Sequence, residues 1–238
     1  MRVVLLRVGI DSGCGGIQGP LFQDRTFEYI PIPNDDNVVG KRTYEDTRGV
    51  HGKPLIEYFP EPLQSKRKNQ FIHADPEFET YTYGDPSRLK SSLKRLDKGD
   101  MLIFYCGLQG WDFECKPALY LLGYFEVLKA GIASDFDSKD IDDLFSRNVH
   151  VMDRDQFKKE NDRLVLVKGS DESRLFKKAH LISAMGEDKI KRPIKVLSPD
   201  MIKNFGNFNG KLCIQRSPPR WIDPAFVDEA VKFTRSRE

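Results

Sequence analysis

Cysteine is scarce in this 238-residue chain and carries no pattern. Cys14, Cys106, Cys115 and Cys213 match no Cys-x-x-Cys spacing, and the four histidines are equally scattered. A zinc ribbon and a disulfide-stapled miniprotein are excluded, the thiols are expected to be reduced, and no metal site is expected. A Cys106–Cys115 pair would need a hairpin to bring the two together. Long apolar runs are also lacking. The strongest, Ala118 to Leu128, is eleven residues broken by Gly123 and Glu126, about half of the roughly 20 residues that a membrane helix needs. Val3 to Leu6 is too short for the core of a secretory signal, so a cytoplasmic location without a membrane partner is expected. Repeats and low-complexity tracts are absent. A net charge of only +2 rules out a polycation.

The charges that are present are unevenly placed. Residues 131–162 hold nine acids against five Lys or Arg, whereas residues 163–220 hold thirteen Lys or Arg against five acids. A smaller basic cluster comprises Arg88, Lys90, Lys94, Arg95 and Lys98. Such asymmetry attracts a phosphate backbone if the cations share a face.

Apolar periodicity outlines the elements. Residues 2–8 suit a buried opening strand, residues 27–32 a second strand ended by prolines, and residues 101–105, apolar on both faces, a central strand paired with 118–128, where Gly123 suits a bulge. Leu89, Leu93 and Leu96 give residues 87–97 one apolar helical face. Short helices are expected at 139–147, 155–161 and 174–180, and proline-started ones after Ser198 and Asp223. Residues 164–167 read as a short core strand. Between about 34 and 70 prolines, glycines and charges alternate without a period, which reads as an irregular insertion or lid. The economical assignment is α+β: one mixed domain over residues 1–238 with a central, mainly antiparallel sheet, or a partly open PUA-like barrel, flanked by helices.

Four constellations could carry chemistry. The opening strand runs into the glycine loop Gly9 to Gly16, where Asp11 falls at a strand end, a place where ligands commonly bind. The loop is neither a P-loop nor Gly-x-Gly-x-x-Gly. His73 and Asp75 share a side of an extended segment that continues to Asp85, and could orient a water, or hold a metal if a third ligand such as Asp11 joined them. Phe104, Tyr105, Trp111, Tyr120, Tyr124 and Phe125 build either core or a stacking platform for a base, with Tyr120 and Tyr124 expected on one face and Phe125 on the other. Finally, Ser170, Ser173, Arg174, Lys177 and Lys178 would form a phosphate site if a helix starts there. The run Arg216 to Trp221 could add an arginine clamp, with Trp221 stacking.

Arg7-Val8-Gly9-Ile10-Asp11-Ser12-Gly13, Gly19-Pro20, Tyr29-Ile30-Pro31-Ile32-Pro33, Asp75-Pro76-Glu77-Phe78, Thr82-Tyr83-Gly84-Asp85 and Gly99-Asp100 resemble the third type of nucleotide modification associated domain. The likeness continues through Gly123-Tyr124-Phe125, Gly169-Ser170, Ser173-Arg174-Leu175 and Pro218-Pro219-Arg220-Trp221. It implies a role in prokaryotic or phage systems that modify nucleic-acid bases, and no mechanism. About thirty residues from Gly99 are also similar to the core of PUA-like barrels of the EVE and ASCH kind, which bind RNA or modified bases.

The leading expectation is a protein that binds DNA, RNA or a nucleotide, holding phosphate at 170–178 and a base, modified or not, near Tyr105 or Trp111. The alternative is an enzyme acting on a nucleotide or base through Asp11, His73, Asp75 and Asp85. It requires those groups to meet in one pocket. A third reading is a scaffold that binds basic proteins through the acidic residues 134–162. No cofactor is specified.

Overall fold

The computed structural model describes residues 1–34, 42–215 and 218–237. In chain order the strands are β1 (Val3–Arg7), β2 (Gly19–Leu21), β3 (Ile32–Asn34), β4 (Phe71–His73), β5 (Thr82–Asp85), β6 (Met101–Gly110), β7 (Ala118–Ile132), β8 (Val165–Gly169), β9 (Arg174–Leu181), β10 (Ser183–Glu187), β11 (Pro193–Leu197) and β12 (Arg220–Trp221). The helices are α1 (Glu61–Arg67), α2 (Ser138–Phe145), α3 (Val149–Met152), α4 (Arg154–Glu160), α5 (Pro199–Phe205) and α6 (Val227–Arg235).

A strand apolar on both faces must be covered on both. In β6, Leu102, Phe104 and Leu108 enter one core while Met101, Ile103 and Tyr105 enter another on the opposite face. Its position is central accordingly: the main sheet runs β12-β1-β6-β7-β8-β5, with β2 beside β6 and β9 beside β7. β1 and β2 lie parallel to β6. The other pairings are antiparallel, so the mixed α/β architecture with a mainly antiparallel sheet is as the apolar pattern implies. The described strands leave the sheet open, without the closure of a PUA-like barrel. α5 and α6 supply Phe205 and Ala230 to the second core. No helix among the described residues is long and apolar enough to cross a membrane.

Bulges account for two departures from simple alternation. The β6–β7 and β7–β9 registers both shift near Gly123, where a Cβ would lie 2.3 Å from the Arg174 carbonyl oxygen. One residue of slip exchanges the faces. Tyr120 therefore packs in the first core and Tyr124 in the second, not together. On β9, residues 176–179 stand opposite the single Leu122. Their apolar positions imitate helical spacing, and the helix expected at 174–180 is a bulged strand.

Three further expectations are corrected. Residues 27–31 form no ladder beyond a bridge at Phe27, and pairing begins only at Ile32, where β3 meets β4. Residues 87–97 turn in short 3-10 form over Ser91–Arg95; Leu93 and Leu96 are buried, while Leu89 is exposed. The described part of the insertion is packed, with Tyr44, Leu55 and Phe59 joining Ile30 and Ile72 in a core of its own. Tyr44 and Phe59 meet edge to face at 4.9 Å. All four cysteines are free.

Candidate functional site

The end of β1, the end of β4 and Tyr83 to Asp85 of β5 border one cavity of about 430 Å3, whose charged and histidine lining is Arg7, Asp11, His73, Asp75, Asp85 and Lys90. The four acidic and histidine residues singled out in the sequence thus meet, and two cations join them.

Asp11 folds the glycine loop onto itself. Its Oδ1 accepts from the backbone N–H of Gly13 at 2.7 Å and of Cys14 at 3.0 Å, its Oδ2 from Arg7 at 2.9 Å, and its carbonyl from the N–H of Gly15 and Gly16. Burial raises its pKa, but the Gly13 N–H and the Arg7 guanidinium outweigh that and hold the carboxyl below its ordinary range. With both oxygens occupied, Asp11 aims Arg7 into the cavity. Asp85 is similarly engaged, accepting from Ser87 N–H at 2.7 Å and the Tyr83 hydroxyl at 3.0 Å, with Lys90 Nζ 3.9 Å away. Burial lowers the Lys90 pKa against the pull of Asp85 and Asp75.

Asp75 differs. Its Oδ1 accepts from Gly84 N–H at 3.1 Å and Asn148 Nδ2 at 3.0 Å. Its Oδ2 lies 3.3 Å from His73 Nε2 and 3.3 Å from His150 Nε2. Asp75 Oδ2 and His150 Nε2 are nonetheless buried without a hydrogen-bond partner. His150 arrives on α3, whose N-cap Asn148 accepts from His150 N–H at 3.1 Å while its amide donates to Asp75. A Cβ on Gly84 would come within 2.9 Å of both Asn148 Oδ1 and His150 Cδ2, so glycine there admits the helix start. On the far side, His150 Nδ1 meets Glu160 Oε2 at 3.3 Å. Burial disfavours charge on this imidazole, but Asp75 and Glu160 overcome it and raise its pKa to about 9. Asp75 is shifted down: burial opposes ionisation, and the two histidines prevail.

Local patterns missed His150, Glu160, Arg7 and the role of Lys90. His150 lies 75 residues beyond Asp75 in a chain segment dominated by acids, with no spacing motif to connect them. Arg7 carried a weak signal, ending an apolar strand just before the loop.

The residues expected to bind phosphate are arranged otherwise. No helix begins at Ser170, because residues 170–173 form the turn between β8 and β9. Ser173 is buried, and its hydroxyl accepts from Glu126 N–H at 3.1 Å. Arg174 lies 3.7 Å from Glu172 and lines a separate cavity with Tyr29, Phe78 and Tyr81. Lys177 and Lys178 are exposed on the β9 bulge.

The aromatic residues do not form a common platform. Tyr105 is wholly buried, donating to the Ile214 carbonyl at 2.9 Å, so no base can stack on it. Trp111 is half exposed and meets Tyr58 edge-on. Trp221 donates to Ser92 and carries Arg95 over its ring at 4.6 Å. The clamp residues Arg216 and Ser217 lie outside the described residues.

Fold and cavity together define a mixed α/β protein with a pocket of opposed charges at the end of its opening strand. Residues 2–237 match nucleotide modification associated domain 3, and the chain belongs to that family. No curated protein and no solved structure matches it. Membership gives the chain a general role connected with nucleotide modification.

Proposed function

We propose that this chain is an enzyme acting on a nucleotide or on a base within DNA or RNA, with its reaction centre in the cavity between β1, β4 and β5. The observation that carries this reading is the convergence of Asp11, His73, Asp75 and Asp85 with Arg7 and Lys90 around one space of about 430 Å3, a volume within the range of small-molecule sites. Arg7 and Lys90 bind the anionic part of the substrate, Asp11 and Asp85 hold those two cations in place, and the His73–Asp75–His150 group carries the chemistry. Ionisable groups moved from their ordinary pKa inside a cleft are what acid–base and electrostatic catalysis requires. The competing idea of phosphate held at residues 170–178 loses its physical basis once those residues form a β-turn and a bulge.

The test is conversion of a panel of nucleotides, single-stranded and duplex DNA, and RNA by the purified chain, followed by mass spectrometry of the products. The expected result is a mass change in one substrate class that disappears in Asp75→Asn, weakens in Lys90→Ala and survives in Lys177→Ala/Lys178→Ala. Failure to convert any of them, with nucleic-acid binding abolished by the Lys177 and Lys178 changes, would return the function to simple binding by the β8–β9 hairpin.

A further inference from the structure

The cluster at the floor of the cavity has the composition and spacing of a metal site. His73 Nε2, Asp75 Oδ2 and His150 Nε2 lie within 4.8 Å of one another, and the two histidine–carboxylate separations are both 3.3 Å. A metal with ligands at about 2.0–2.1 Å in tetrahedral array sets its donor atoms about 3.3–3.4 Å apart. Two of the three separations therefore match those around a first-row ion, and the third, between the two imidazole nitrogens, lies within 4.8 Å.

Three further observations separate this cluster from an ordinary buried ion pair. Two of the three donor atoms are buried with no hydrogen-bond partner, which is costly unless something occupies the point they share. The other oxygen of Asp75 is held by Gly84 N–H and Asn148 Nδ2, which fixes the orientation of Oδ2. The other nitrogen of His150 faces the Glu160 carboxylate at 3.3 Å, the arrangement that orients a ligating imidazole and strengthens it as a donor. An imidazolium shared between Asp75 and Glu160 would account for the charges around His150. It leaves unexplained why His73 also directs Nε2 to Asp75 Oδ2.

We infer that His73, Asp75 and His150 form the binding site of a divalent first-row transition ion of the Zn2+ or Fe2+ class, with its remaining coordination positions open to the cavity. Two imidazoles and one carboxylate favour such an ion over Mg2+ or Ca2+, which select all-oxygen sites. Three protein ligands leave positions for water or a substrate oxygen beside Arg7 and Lys90, where an ion acts as a Lewis acid or acidifies its bound water. This deepens the enzymatic reading of the same cavity and rests on it for its biological meaning, although binding itself is measurable without any substrate.

The full chain, stripped with a chelator and then dialysed separately against Zn2+ and Co2+, is analysed for bound metal by elemental analysis and for Co2+ by its visible d–d absorption. The expected outcome is stoichiometric uptake that excess Mg2+ does not displace. His73→Asn, Asp75→Asn and His150→Asn lose the ion, and Glu160→Gln binds it about 10–100-fold more weakly. Circular dichroism controls for folding. Should His150→Asn unfold, His73→Asn, which alters the more exposed ligand, and the Co2+ spectrum of the wild type still decide. No stoichiometric uptake by the wild type, or uptake unchanged in His73→Asn and Asp75→Asn, overturns the site. Metal uptake without conversion of any nucleotide sinks the enzymatic reading and keeps the site; conversion by a protein that takes up no metal does the reverse.

Discussion

Glu28 and Asp75 are two buried carboxylates, each beside a histidine, in neighbouring parts of the molecule. Every direction around Glu28 is answered: Val50 N–H donates to Oε2 at 2.7 Å, while His51 N–H at 2.8 Å, His51 Nδ1 at 2.6 Å and the Tyr58 hydroxyl at 3.0 Å converge on Oε1. Asp75 is answered on Oδ1 alone, and its Oδ2 has no hydrogen-bond partner. The first is a clamp that ties residues 49–58 to the body. A Cβ on Gly49 would fall 2.2 Å from Glu28 Oε2, so the chain wraps this carboxylate with no space to spare. The second turns one oxygen, without a hydrogen bond, toward two imidazole nitrogens. A saturated buried charge stabilises, whereas a half-satisfied one is maintained at a cost, and function is the usual reason.

The contrast breaks most visibly through activity. Asp75→Asn preserves shape and the acceptor toward Gly84, so turnover should fall by about 10²–10⁴-fold, the loss expected for a positioned catalytic group, while urea unfolding shifts by about 1–3 kcal/mol as His150 loses a counterion, less than at Glu28. Glu28→Ala should do the opposite. Stranding four donors should cost about 3–5 kcal/mol, read as a lower denaturation midpoint, with the metal content of the folded fraction unchanged. An Asp75→Asn protein as unstable as Glu28→Ala would erase the distinction.

Acidity sharpens it next. The His150 pKa rises from 6.5 to about 9 in the folded chain. Because the folded value exceeds the unfolded one, the resulting stabilisation is complete below about pH 6.5 and is lost as pH climbs through about 9. Melting temperatures of metal-free wild type and His150→Asn should differ most near the lower limit and converge above the upper one.

Smaller effects belong to the β8–β9 hairpin. Ser173→Ala removes the acceptor for Glu126 N–H and should cost about 1–3 kcal/mol in unfolding experiments, without altering the salt dependence of nucleotide binding. Lys177→Ala and Lys178→Ala, on the exposed bulge, should each stay within about 0.5 kcal/mol of wild type and leave turnover intact. A large effect of either lysine on substrate affinity would move the ligand from the cavity to the hairpin.

Much of this was legible in the chain before folding. Continuous apolar character placed β1, β6 and β7, and the acids and histidine at 11, 73, 75 and 85 were recognisable as reactive groups. The elements misread were those in which bulges disturb a period. Leu175, Phe176 and Ala179 match a helical face, yet the first core takes Ala179 and the second takes Phe176, because residues 176–179 bow out opposite Leu122. Tyr105 looked available for stacking; its burial comes from coverage by residues more than a hundred positions away.

Local pattern determined by itself which segments enter cores, since burial of apolar side chains acts through periods of two and of about 3.6 residues. It determined the family likeness as well. Only the tertiary structure decided the ligand set. His150 reaches Asp75 because Asn148 caps α3 with one end of its amide and grips that carboxylate with the other, a junction closed across 73 residues. The direction of a side chain relative to a distant partner is set by packing, and no short-range periodicity carries that information.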